Sequence, residues 1–257
     1  TYRDYNQIRG VAKFGIALRS GRRGRRFKSC HLDCAGIECV MRMNPWQGHL
    51  GSYMLSGFFL YNQKEEDMST VYIHVGTPKT GTSAIQVFCS KNRKLLKEKG
   101  VCYPNLGFDF PGISSNRNGH CLNAYIYDEN HKRLRDQERE VADQALEKLT
   151  GMLDNFPVFV LSDEQIWNNK DITTERLLHY KEKLAEAGAD MKIIVYLRRQ
   201  DLLIQSYWAQ QVKEYMNTCF SDYIVSKKAK YFKLDYDKRL EEMAAAVGRE
   251  NIIVRVY

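Results

Sequence analysis

The chain has 257 residues, 44% hydrophobic and 27% charged, a balance ordinary for a soluble globular protein with one or two cores. No stretch reaches the roughly 20 apolar residues of a membrane-spanning helix; the nearest, Tyr53 to Tyr61, is too short. Of the formal net charge of +8, residues 1–67 supply +5 (11 Lys and Arg against 6 Asp and Glu), so basicity does not argue for nucleic-acid binding by the rest.

Residues 1–67 lack a clear hydrophobic period and are rich in Gly and Arg, as in Gly21-Arg-Arg-Gly-Arg-Arg26. A basic arm for nucleic acid or acidic lipid is one reading, and a metal site from Cys30, His31, Cys34 and Cys39 is another. The paired C-x-x-C units of a zinc ribbon are absent. A third reading is preferred, in which the segment is upstream DNA translated in error. Arg26-Phe27-Lys28-Ser29 can be encoded by a transfer-RNA T-arm consensus, and Lys64-Glu65-Glu66 by a ribosome-binding sequence just before Met68. The segment is therefore left unassigned, and the folded domain is expected from Met68 to Tyr257. The seven cysteines are odd in number, and four of them are scattered, which suits free thiols in a reducing cytoplasm better than a disulfide framework.

Val71-Tyr-Ile-His-Val75 reads as a buried strand, with His74 packed in the sheet, and Ser83 to Lys99 as one helix stopped by Gly100. Between them, Gly76-Thr-Pro-Lys-Thr-Gly-Thr-Ser83 is a phosphate-binding arrangement. Its glycines let backbone N–H groups approach an anion, and the helix start adds partial positive charge. The spacing Gly76-x-x-x-x-Gly81 matches the first half of a Walker loop, but Thr82 stands where that loop's Lys belongs, and Lys79 lies inside the turn. An ordinary glycine-rich turn with a solvated Lys is the bland alternative.

Tyr103 to Asn118 is loop-like, Lys132 to Leu153 an amphipathic helix, and Val158 to Leu161 a second strand followed by Ser162-Asp-Glu-Gln165. Thr174 to Ala187 is a helix, Met191 to Leu197 a third strand, Asp201 to Met216 a helix, and Tyr236 to Val247 the last helix. Asn251 to Tyr257 reads as a strand, and further sequence is expected after it. Strands alternating with helices predict a three-layer α/β/α domain on a parallel sheet, with ligands at the carboxyl ends of the strands.

Pro78-Lys79-Thr80-Gly81-Thr82-Ser83 resembles the 5′-phosphosulfate loop of PAPS-dependent sulfotransferases, Pro-Lys-x-Gly-Thr-Thr/Ser. The strand ending in Arg198, with Ser206 eight positions later, resembles that family's 3′-phosphate element; the family's usual Pro nearby is missing, and Arg199 is a rival ligand. The likeness covers about residues 70–257 and is nearest to bacterial sulfotransferase-like proteins with Leu-Arg-Arg-Gln-Asp second motifs. It implies a P-loop nucleotide-binding fold, with a further nucleotide loop expected beyond Tyr257. It implies transfer of a sulfuryl group from PAPS to a hydroxyl or amine, plausibly on a carbohydrate, leaving PAP and needing no metal. Donor-binding residues would be Gly76, Thr77, Pro78, Lys79, Thr80, Gly81, Thr82, Ser83, Arg198 and Ser206, with Lys79 also stabilising the leaving phosphate. The base would be Glu164, preferred for its place at the sheet's carboxyl edge, or else His120 after the long loop, and either residue also reads as an ordinary solvated or capping group. Tyr103, Trp167, Tyr207 and Trp208 could stack on a sugar or fill the core. The competing functions are a magnesium-dependent P-loop kinase, with Asp163 as the metal-holding carboxylate after its strand, and a non-catalytic nucleotide-binding module.

Overall fold

A computed structural model describes residues 68–214, 217–225 and 234–257. The readings made on residues 1–67, the basic arm, the cysteine cluster and the mistranslation, lie outside the described residues, as does the end of the helix expected to reach Met216. Strand β1 (Ser69–Gly76) leads through the phosphate-loop sequence into α1 (Thr82–Lys91), α2 (Arg93–Glu98) and a short β2 (Val101–Cys102). A long irregular stretch ends in a 3-10 turn at His120–Leu122, followed by α3 (Arg135–Thr150), β3 (Val158–Ser162) and the single turn α4 (Gln165–Asn168). Then come α5 (Thr174–Glu186), β4 (Ala189–Leu197), α6 (Gln200–Lys213), α7 (Phe220–Val225), α8 (Tyr236–Val247) and β5 (Ile252–Val256).

All the strand pairs are parallel, and the order across the sheet is β2-β3-β1-β4-β5. The α/β reading from alternating strands and helices therefore holds. β1 is central, so it is apolar on both faces rather than alternating. Val71, Ile73 and Val75 join Phe159, Leu161, Ile193 and Val195 in a core covered by α3, α5 and α8. Tyr72 shares the opposite face with Val158, Val160, Ile194 and the Ile85–Cys89–Leu96 stripe of α1 and α2. Tyr103 and Trp167 are 1% exposed, which makes them core and removes them from the acceptor surface.

The helix expected as one unit from Ser83 to Lys99 is broken at Asn92. Asn92 caps the first helix: its backbone amide donates to the Phe88 carbonyl at 3.0 Å and its side-chain amide to the same oxygen at 2.8 Å, and its own backbone leaves the helical region at φ −107°, ψ 22°. Behind the sheet edge, Arg239 of α8 is buried and donates to the carbonyls of Ile166 (3.0 Å) and Ile172 (3.2 Å), anchoring the segment after β3. No described helix is long and apolar enough to cross a membrane, and the described cysteines, Cys89, Cys102, Cys121 and Cys219, are free thiols.

Candidate active site

The register of the sheet puts the ends of β1, β3 and β4 side by side. Gly76 closes β1 at φ 91°, and a β-carbon there would lie 2.7 Å from Glu164 Cβ and 3.0 Å from Glu164 Cα. Only glycine fits that conformation and that approach. The loop after it is pinned to β4. The Thr77 amide donates to the Tyr196 carbonyl at 2.8 Å and its hydroxyl to the same oxygen at 3.2 Å, while the Thr80 hydroxyl donates to Thr77 O. Lys79 takes a left-handed φ of 68°, uncommon for a residue with a side chain and a feature that concentrates at functional sites.

Arg198, at the end of β4, donates through Nη1 to the Lys79 carbonyl at 3.0 Å. The two sequence motifs, 119 residues apart, thus meet in one place. The Arg198 carbonyl accepts from the Tyr236 hydroxyl at 2.7 Å, and its guanidinium lies 5.4 Å from the Tyr257 ring centre. Arg199 turns away and forms a fork with Asp201 at 2.6 and 2.7 Å on the exposed start of α6. The Lys79 ammonium donates to Gln210 Oε1 at 3.0 Å. Ser206 is one helical turn before Gln210, so it is on the same face of α6, nearer the helix start. The first amides of α1 have no acceptor within the helix and no acidic side chain in that turn.

Beside this loop is a dense polar cluster. His120 is 8% exposed, and its Nδ1 stands 2.6 Å from Asp163 Oδ2. Arg117 donates to the other oxygen of Asp163 at 2.6 Å, and the Gln165 amide donates to it at 2.8 Å. Asp163 is fully buried, which alone would raise its pKa; the His120 hydrogen bond and the Arg117 charge outweigh burial and hold it below the usual carboxylate range. Glu164 accepts from Gln86 Nε2 of α1 at 2.6 Å and lies 3.9 Å from Arg117 Nε. Gln86 also donates to Ser162 Oγ at 3.3 Å, and that hydroxyl is 2.8 Å from His74 Nδ1. His74 is packed in the sheet, as its place in the strand implied, and burial pushes its pKa down to about 4. The Tyr207 hydroxyl bonds to Asn168 at the end of α4, and the Trp208 indole is half-buried against Thr218 O at 2.9 Å.

The structure thus gathers Glu164, His120 and the Gly76–Ser83 loop at one sheet edge, with Arg198 on the loop and Ser206 on the helix facing Lys79. Sequence reasoning missed Arg117, Gln86, Gln210 and Tyr236, and considered Asp163 only as a metal ligand. Asp163 has both oxygens committed to Arg117 and His120. Among the described residues no group of three or more His, Cys, Asp or Glu could hold a metal ion.

The chain is similar to a sulfotransferase from Alicyclobacillus acidocaldarius, at 15% identity over 72% of each chain with a TM-score of 0.43. It is similar to a sulfotransferase domain from the curacin biosynthetic pathway, at 11% identity over 74% of this chain and 67% of that one with a TM-score of 0.40. It also resembles a structure from the PezAT chromosomal toxin–antitoxin system of Streptococcus pneumoniae, at 11% identity over 80% of this chain and 74% of that one with a TM-score of 0.33. No family model matches the sequence, and no curated protein matches it.

Proposed function

We propose that this domain is a cytoplasmic sulfotransferase that moves a sulfuryl group from PAPS to a hydroxyl or amine, with a small molecule or glycan as acceptor. The observation that carries the reading is the 3.0 Å bond from Arg198 to the Lys79 carbonyl. It joins a loop suited to a 5′-phosphosulfate to a guanidinium suited to a 3′-phosphate, the group that separates PAPS from ATP. Donor contacts fall to Gly76, Thr77, Pro78, Lys79, Thr80, Gly81, Thr82 and Ser83 for the phosphosulfate and to Arg198 and Ser206 for the 3′-phosphate. The acceptor oxygen or nitrogen forms a bond to sulfur as the bond from sulfur to the bridging oxygen breaks. PAP leaves with the electron pair, and the acceptor proton goes to Glu164 or His120. Lys79 offers positive charge to the departing phosphate.

A magnesium-dependent kinase needs a carboxylate after a hydrophobic strand for its metal. Asp163 is the residue in that position, and its commitment to Arg117 and His120 weighs against that use. Titration of the chain with PAP and with ADP, each without and with magnesium, tests the reading. Metal-independent PAP binding above ADP is expected, weakened roughly tenfold or more in Arg198→Ala. ADP binding equal to PAP and dependent on magnesium would overturn it.

A further inference from the structure

The polar cluster beside the loop contains a feature that neither candidate base explains by itself. Two atoms, His120 Nδ1 and Asp163 Oδ2, lie 2.6 Å apart in a buried setting. Arg117 Nη2 also stands 3.4 Å from Nδ1, but a lone pair facing a carboxylate at 2.6 Å is repulsive, and that shorter contact places a proton between Nδ1 and Asp163. Arg117, on the other oxygen of Asp163 at 2.6 Å, favours the ionised carboxylate and keeps the proton on the imidazole. The Phe110 ring packs edge-on against the imidazole at 4.9 Å between centres, which limits ring flipping. Glu164, by contrast, receives the Gln86 amide at 2.6 Å on the oxygen that lies 3.9 Å from Arg117 Nε, so that oxygen is already occupied.

From this geometry we infer that Asp163, clamped by Arg117, is a positioning residue that fixes His120 as the Nδ1–H tautomer and leaves His120 Nε2 as the base for the acceptor. The inference deepens the sulfuryl-transfer reading and rests on it for the identity of the reaction, but the tautomer itself does not depend on which donor binds. In the step, the acceptor's proton goes to Nε2 as its oxygen or nitrogen bonds to sulfur. The imidazolium so formed is stabilised by the carboxylate on Nδ1. Asp163 does not take the proton. The charged and titratable groups around the pair are Arg117 from the loop, Glu164 after β3, His74 from β1, Cys121 from the same turn as His120, and Lys148 from α3, which acts on Cys121.

The test is nitrogen NMR of the full chain labelled with 15N-histidine, with His120→Gln to assign the resonance. A neutral His120 with Nδ1 protonated and Nε2 bare is expected in the wild type, and a shift of the proton toward Nε2 in Asp163→Asn. A wild-type His120 protonated at Nε2 when neutral would overturn the inference without any variant needing to fold. If an acceptor is found, Asp163→Asn should lower kcat by roughly a hundredfold with PAP binding and KM retained, and Asp163→Glu should restore part of it. The acidic limb of the pH–rate profile should disappear in His120→Gln and survive in Glu164→Gln; the reverse pattern overturns the assignment. Failure of PAP to bind the wild type would sink the sulfotransferase reading while leaving the tautomer result intact, so the two failures are told apart.

Discussion

The glycine-rich loop and the polar cluster beside it share one sheet edge but are built in opposite ways. The loop is contiguous: Gly76 to Ser83 follows one strand, opens one helix, and is held through its own main chain, by the Thr77 amide on the Tyr196 carbonyl and the Arg198 guanidinium on the Lys79 carbonyl. The cluster draws Arg117 and His120 from a long irregular stretch, Asp163 and Glu164 from the end of β3, Gln86 from α1 and His74 from β1, and side chains hold it together. A contiguous loop can be recognised by the spacing of its residues in the sequence. A cluster made of side chains has no spacing to recognise. Gly76 is where the two touch, since any β-carbon on it would run into Glu164.

The largest expected effect is therefore at that contact. Gly76→Ala forces a side chain into φ 91° and into overlap with Glu164, costing about 3 kcal/mol from left-handed strain and overpacking together. A fall in the urea midpoint with loss of PAP binding is expected. Full stability with only nucleotide binding lost would mean the two regions are not mechanically joined at Gly76. Gly119 is the corresponding position in the cluster, where an added β-carbon would lie 2.9 Å from the Ser162 amide nitrogen. Gly119→Ala should disturb His120 while the loop keeps its PAP affinity.

The next effect sharpens the contrast through pH. His74 is buried and neutral, with its pKa lowered from 6.5 to about 4, chiefly by desolvation. Between those values the unfolded chain binds the proton that the folded chain refuses, so stability rises with pH. The contribution is complete above pH 6.5, is lost as pH falls toward 4, and amounts to about 3 kcal/mol. Asp163 loses its contribution only lower, as pH falls through its depressed native pKa. Urea unfolding from pH 7 to pH 4 should thus show a falling stability in the wild type and a flatter profile in His74→Gln. Identical profiles would show that the imidazole is not desolvated in the native state.

The same contrast explains what could be read from the sequence. Strand, loop and helix onset at Val71–Ser83 carry their own local signals, and Arg198 follows a strand whose apolar run is unmistakable. The helix break at Asn92 escaped because the apolar spacing of Ile85, Phe88, Leu95 and Leu96 runs straight through it, while the break is confined to one residue whose amide and side chain both end on Phe88 O. β2 has two residues, too few for any period. Asp163 looked like a metal ligand because position after a strand is visible in a sequence. Its partners Arg117 and His120 come from 46 and 43 residues earlier, joined only by the tertiary fold. Glu164 and His120 were recognised as single residues, but their different surroundings belong to the cluster.

The smallest effect concerns the two adjacent arginines, which the sequence could not tell apart. Arg198 points along β4 to the loop and touches the Lys79 carbonyl, whereas Arg199 folds back on Asp201 two residues later. The Arg199–Asp201 pair is exposed at the start of α6, where water screens it and side-chain ordering offsets the attraction. Arg199→Ala should leave the urea midpoint nearly unchanged and change PAP affinity by less than about twofold, against the tenfold or greater loss at Arg198. Calorimetric titration of the two variants side by side measures the difference. Equal losses would mean that the 3′-phosphate draws Arg199 off Asp201 on binding, and that the loop's hold on Arg198 reflects structure alone.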